Sequence, residues 1–358
     1  MTRAKDFADT IAGALLGTAV GDAIGLPREG LSRGRALRMF GAPPLRHRFL
    51  FGRGMCSDDT EHAIMVAQAL LASGGEPKRF ARTLAWHLRW WLLGVPAGVG
   101  WATLRSILRL WLGYSPENSG VYSAGNGPAM RSALIGLFTH DDLEKLKALV
   151  RASTRLTHTD PRAEEGALAV ALAARACLHP ADSTASFRQQ VFGSIFENIR
   201  NAELVALLQR TQHALEDGAS PEEFAAQIGC EKGISGFVCH TVPAAIFCWL
   251  RYPQDFRAAV EAVIMLGGDA DTTGAITGAL AGASVGAAEI PDEWLGGIVE
   301  WPRNVPWMRR LAAALASGAT ASAPTAAPRT CVPCLLARNI FFAAAVLGHG
   351  FRRVLPPY

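Results

Sequence analysis

Phe7, Ile11 and Leu15 recur every four residues, the spacing that lines one face of an α-helix. Comparable patterns return over residues 61–72, 80–93, 129–138, 143–151, 161–177, 203–215, 221–228 and 256–265. Helix starts are marked as well. Ser220-Pro221-Glu222-Glu223 supplies an N-cap, a first-turn proline and acids suited to the helix dipole. Pro161 followed by Glu164 and Glu165 repeats that signature. No stretch alternates with period two, and no turn dipeptide joins two β-branched runs, so the pattern predicts an all-α protein of many helices.

Two segments carry glycine every fourth residue: Gly13, Gly17, Gly21 and Gly25, then Gly274, Gly278, Gly282 and Gly286. A helical glycine costs about 1 kcal/mol relative to alanine. Close backbone approach can offset that, so the two striped helices are expected to meet at the centre of the bundle. A general Ala/Gly bias is the alternative. Near the end, residues 312–330 are rich in Ala, Ser, Thr and Pro and read as a flexible linker. Residues 1–311 precede it as the main domain, and 331–358 follow as an apolar, helix-like tail. Cys331 and Cys334 open that tail. A lone C-x-x-C lacks the four ligands of a structural zinc site, so the tail is expected to pack on the body or on a partner.

Half of the 358 residues are hydrophobic and 18% are charged, enough for a large core and too apolar for global disorder. The net charge of +4 comes without a Lys/Arg run dense enough for a nucleic-acid stripe. Seven irregularly spaced cysteines argue against a disulfide framework. Residues 1–10 include Asp6 and Asp9 and no apolar run, unlike a signal peptide. The most apolar stretch, 340–347, reads as too short to span a membrane. These features place the chain in the cytoplasm with no transmembrane segment.

Two acidic motifs carry the candidate chemistry. Ser57-Asp58-Asp59-Thr60 lies between a glycine-rich loop and a helix expected near Glu61; Gly267-Gly268-Asp269-Ala270-Asp271-Thr272-Thr273 opens the second striped helix. Capping alone needs one such side chain, whereas each motif offers four or more oxygen-bearing ones. Adjacent carboxylates repel unless a cation neutralises them. Hard oxygen donors without His or Cys select magnesium, manganese or calcium. Ser123-Ala124-Gly125-Asn126-Gly127, before a helix expected near Pro128, could hold an anion on its backbone N–H groups. Thr157-His158-Thr159-Asp160 precedes Pro161.

In their order, these pieces resemble the ADP-ribosylglycohydrolases, the family of the dinitrogenase-reductase-activating glycohydrolase. The matching residues are Gly13-Ala-Leu-Leu-Gly17 with Gly21-Asp22-Ala23, Glu29 after Pro27, Ser57-Asp58-Asp59-Thr60, Gly125-Asn126-Gly127 with Met130-Arg131, Thr157-His158 and Gly267–Thr272. They span roughly residues 10 to 290. The family often has Thr where Ser57 stands; serine keeps the hydroxyl. The resemblance implies a compact multi-helix fold with a central dimetal cleft holding two Mg2+, or Mn2+. It implies that Ser57, Asp58 and Asp59 ligate from one side and Asp269, Asp271 and Thr272 from the other. It places Glu29 near the scissile bond, with Glu29, Asp58 and Asp271 as the candidate catalytic carboxylates. Ser123, Gly125, Asn126, Gly127 and His158 would contact the ADP-ribose. The implied activity is hydrolysis of the bond between ADP-ribose and an acceptor, arginine on a protein first, with O-linked serine or small conjugates as the alternative. Nucleic acid is not required. A non-catalytic structural member and a magnesium-dependent phosphatase are the remaining readings.

Overall fold

The computed structural model describes residues 6–179, 181–321 and 323–356; the first five residues of the amino-terminal segment and the last two of the tail lie outside them. Its helices run α1 (Phe7–Gly25), α2 (Arg33–Phe40), α3 (Asp58–Ser73), α4 (Pro77–Leu93), α5 (Trp101–Trp111) and α6 (Ala133–Phe138). They continue with α7 (Leu143–Arg155), α8 (Pro161–Ala176), α9 (Thr184–Asn198), α10 (Ala202–Glu216), α11 (Pro221–Gln227) and α12 (Val238–Arg251). Last come α13 (Phe256–Met265), α14 (Ala270–Val285), α15 (Asp292–Leu295), α16 (Val305–Ala319) and α17 (Val332–Val354). A two-residue strand β1 (Leu31–Ser32) pairs antiparallel with β2 (Gly267–Gly268), Leu31 opposite Gly268. Strands this short have no alternation to read.

The glycine stripes do what their spacing implies. α1 and α14 lie antiparallel at the centre: a Cβ added at Gly13, Gly17 or Gly21 would overlap the backbone carbonyl of Gly282, Gly278 or Gly274. Gly25 faces Ala270 instead, and Gly286 has left α14, at φ +93°. Side chains of any size would separate these backbones. With them in contact, both helix ends that carry the chemistry, Asp22 on α1 and Asp271 on α14, are held in one place and almost fully buried.

Several sequence expectations need correction. The helix expected at 129–138 is broken: Ala129–Arg131 is a 3-10 turn, and α6 begins only at Ala133. α3 starts at Asp58 rather than near Glu61, because Ser57 is its N-cap and accepts from Asp59 N. The first half of the expected linker is helical, since α16 extends to Ala319 and alanine is the best helix former. The remainder is tied to the body by Thr325 N donating to Leu71 O. α12 showed no amphipathic period because nearly all of it is buried, with Pro243 in its interior.

Two helices are long and apolar enough to cross a membrane, contrary to the reading by local runs. The segment Phe7–Arg28 is 94% buried over its most apolar window, so it is the core helix of this bundle. Val332–Val354 has a mean hydropathy of 1.5 with only 17% of that window buried. The tail therefore packs on the body by one side only. Cys331 and Cys334 form a disulfide at its first turn, while Cys56, Cys177, Cys230, Cys239 and Cys248 are free and buried.

Candidate active site

The first acidic motif is organised from beneath by Asp22. This fully buried carboxylate accepts from Ser57 N at 2.9 and 3.0 Å, from Thr60 N at 3.2 Å and from Thr60 Oγ1 at 2.5 Å. Loss of hydration pushes Asp22 up to about 7, and these hydrogen bonds pull the other way. Asp22 was part of the family pattern but not of the expected ligand set. The chain shows why it matters: it clamps the turn that presents Ser57, Asp58 and Asp59.

Only Ser57 is used for capping. Its Oγ lies 3.1 Å from Asp59 Oδ2, and Thr272 Oγ1 donates to the same oxygen at 3.2 Å. That bond joins two motifs 213 residues apart. Asp269 stands at the N-cap position of α14 yet makes no capping bond; its Oδ2 accepts from Asn126 Nδ2 at 2.5 Å. Asp271 Oδ1 accepts from Thr272 N at 3.0 Å. Asp59 Oδ1 is buried without a partner.

Asp58, Asp59 and Asp271 are all raised well above the usual carboxylate range, first by loss of hydration and then by surrounding acids. Asp22 is the largest of those for Asp58 and Asp59, and Glu29 is the largest for Asp271. Among the described residues, no three His, Cys, Asp or Glu side chains are drawn up to metal-ligating distance. The donor set still fits a hard divalent cation: a buried carboxylate oxygen lacks a partner, neighbouring acids repel, and hydroxyls interleave them.

Glu29 reaches this centre through β1–β2. Gly30 N donates to Gly268 O at 2.7 Å, and Ile234 N and Asp269 N complete the junction with Gly267 O and Ile234 O at 2.9 and 2.7 Å. Gly267 and Gly268 have φ of +75° and +80°, and a Cβ on Gly268 would overlap the backbone of Ile234. Only glycine meets both demands. Glu29 sits exposed at the rim, and its carboxyl is raised by loss of hydration and then by Asp269, while Arg353 draws it down.

The ligand-binding candidates gather beside Asp269. Asn126 N donates to Gly236 O at 3.1 Å, and Val238 N to Ala124 O at 2.9 Å. The Ile234–Phe237 segment thus ties the Gly125–Gly127 loop to β2. Nothing in the sequence pattern singled this segment out beyond its glycines. His158, 3% exposed, packs against the loop, with Nε2 3.0 Å from where a Cβ on Gly125 would lie. Arg131 Nη2 donates to Thr157 Oγ1 at 2.8 Å, and that hydroxyl lies 2.9 Å from His158 Nδ1. Burial and Arg131 pull His158 down to about 3. His158 is therefore neutral, with Nε2 facing the loop. Ser123 is not brought to the acidic centre by any hydrogen bond; its Oγ accepts from Gly125 N at 3.3 Å and shapes the turn. Pro128 is followed by a 3-10 turn, so no long helix terminus faces this loop.

A family model described as ADP-ribosylglycohydrolase matches residues 3–324. An uncharacterised protein of Archaeoglobus fulgidus is 32% identical, covering 79% of this chain and 90% of its own. The ADP-ribosyl-[dinitrogen reductase] glycohydrolase of Rhodospirillum rubrum is 27% identical over 80% of this chain and 89% of its own. The ADP-ribosylarginine hydrolase Tri1 of Serratia proteamaculans is 27% identical over 82% and 76%. A solved structure titled ADP-ribosylglycohydrolase-related protein complex superposes with a TM-score of 0.65 at 30% identity, covering 88% of this chain and 99% of that one.

Proposed function

Since the chain belongs to the ADP-ribosylglycohydrolase family and is an ADP-ribosylhydrolase, we propose that it removes ADP-ribose from arginine on a modified protein, in the cytoplasm and with bound magnesium. The observation that carries this reading is the Thr272–Asp59 hydrogen bond, which unites the two oxygen-rich motifs beside Glu29. The arginine acceptor is supported by Tri1, which matches over most of both chains and whose name specifies that linkage.

Ser57, Asp58, Asp59, Asp269, Asp271 and Thr272 would hold the magnesium ions, with manganese of the same ligand chemistry. When bound, the metal supplies neutralisation of the acids and ligation of ribose hydroxyls. Cleavage at the anomeric carbon builds positive charge on the ribose ring. Glu29 combines a raised carboxyl with an exposed position at the rim. It can hold a proton for the departing acceptor nitrogen and recover one from water. Neutral His158 donates Nε2–H to a phosphate or ribose oxygen lying on the Gly125–Gly127 loop, and Asn126 holds Asp269 in place.

The test is release of ADP-ribose from arginine-linked and serine-linked ADP-ribosylated proteins, with magnesium or with EDTA, for wild type and Asp271→Ala. Magnesium-dependent release from the arginine linkage, lost in the variant, supports the reading. Release from serine alone would transfer the activity to O-linked acceptors. No release from any linkage by a folded protein that binds ADP-ribose would sink it.

A further inference from the structure

The exposed apolar surface is concentrated in two places. One is the outer stripe of α17, where Leu336, Ile340, Leu347, Phe351 and Val354 are 44–73% exposed. At helical spacing these residues fall within about 60° of one another. The opposite side carries Arg338, Asn339 and Phe342, all buried against the body. The other place is α4 and α5. Trp86 and Trp90 are about half exposed, Trp101 and Leu112 more so, and Trp90 meets both Trp86 and Trp111 edge-on.

The inner side of α17 is tied to the end of α4. Asn339 Nδ2 donates to Gly94 O at 2.8 Å at the end of α4, and Ala97 packs against the small core that contains Phe342. The charge of both surfaces is one-sided as well. Residues 77–116 and 301–358 contain no Asp or Glu and hold thirteen of the chain's 35 basic residues, of which Arg338 is buried and paired with Glu61 and Glu300. Arg79, Arg82 and Arg105 are exposed and share helix faces with Trp86, Trp90 and Trp101.

We propose that this combined surface docks, in plane, on an anionic lipid bilayer. Tryptophan and arginine at the border of an apolar stripe are the chemistry of the membrane interface, where indoles sit at headgroup depth and each basic side chain gains from anionic lipid. A second copy of this chain fits poorly, since like-charged faces would meet. Spanning is opposed by the anchoring of α17. Arg338 Nη2 donates to Glu300 Oε1 at 2.6 Å and to Cys56 O at 2.5 Å, Nη1 to Glu61 Oε1 at 3.1 Å, and Arg353 Nη2 to Pro27 O at 3.1 Å. A spanning helix would surrender those partners and carry Arg338 into hydrocarbon.

The experiment is vesicle flotation of the full chain on phosphatidylcholine alone and on phosphatidylcholine–phosphatidylglycerol. Two variants are compared with wild type: Leu347→Glu with Phe351→Glu, and Trp86→Ser with Trp90→Ser. All four side chains are exposed, so unchanged thermal midpoints and circular dichroism certify the fold. Expected are flotation on the anionic vesicles, its weakening with added salt, a blue shift of indole emission, and at least a tenfold fall in binding for each variant, roughly the effect of 1.4 kcal/mol. Absence of flotation on both vesicles, flotation equal with and without phosphatidylglycerol, or flotation untouched by both variants would overturn the proposal. So would light scattering that finds the wild type self-associated through this face and unable to float.

Discussion

Asp22→Ala is expected to disable the site although Asp22 is no member of the expected ligand set. The side chain is fully buried and is the shared acceptor for Ser57 N, Thr60 N and Thr60 Oγ1. Leaving a buried donor without its acceptor costs about 1–3 kcal/mol, and bonds that share an acceptor are not additive. The loss in stability should therefore be about 3–5 kcal/mol, measured by urea unfolding. An unclamped turn also lets Ser57, Asp58 and Asp59 drift. A displacement of about 1 Å at a catalytic constellation costs on the order of 100-fold in rate, so ADP-ribose release should fall at least that far. Asp22→Asn is the control. Its amide oxygen can replace Oδ2 and keep both Thr60 bonds and one from Ser57, so it should lose only about 1–2 kcal/mol. The pH dependence separates the two effects further. Native Asp22 is raised to about 7 from an ordinary 3.8, so between those values the cation-free native state holds a proton that the unfolded chain has lost. Its contribution to stability therefore declines as pH rises through that window, by on the order of 4 kcal/mol at most, and Asp22→Asn removes that slope. A stability loss under about 1 kcal/mol in Asp22→Ala with full activity, or equal damage from alanine and asparagine, would refute the clamp.

Gly17→Ala should cost about 3 kcal/mol in urea unfolding, because its Cβ would overlap the Gly278 carbonyl and neither backbone can yield cheaply. Arg338→Met should cost about 3–5 kcal/mol by stranding buried Glu61 and Glu300, and adding Glu300→Gln should recover part of it. His158 is held near 3 in the native state against 6.5 unfolded; below about pH 6.5 the unfolded chain takes a proton that the native state refuses. Stability is thus lost as pH falls toward 3, and His158→Gln should flatten that acid limb in urea titrations. Magnesium at about 100 times its Kd should stabilise the fold by about 2.7 kcal/mol, and Asp59→Asn with Asp271→Asn should abolish the shift in thermal midpoint.

Much of this protein was legible in the chain itself, for local reasons. Helix periodicity and caps located α3, α4, α7, α8, α10, α11 and α13 within a few residues, since those signals lie within one or two turns. The glycine stripes identified the two central helices, because four bare positions in register have few other uses. The oxygen-rich motifs were visible as clusters of carboxylates and hydroxyls without any partner. What the sequence left open depends on residues far apart in it. The pairing of β1 with β2 brings Glu29 to Asp271, but two-residue strands have no period. Asp22 is one of two acids in a largely apolar helix, and only the approach of Ser57 and Thr60 makes it a clamp. The neutrality of His158 is set by its burial and then by the nearby Arg131, a relation the linear chain does not show. The tail helix looked too short because Arg338 interrupts its apolar run, and only its ion pairs with Glu61 and Glu300 show which face turns inward and which is left to the surroundings.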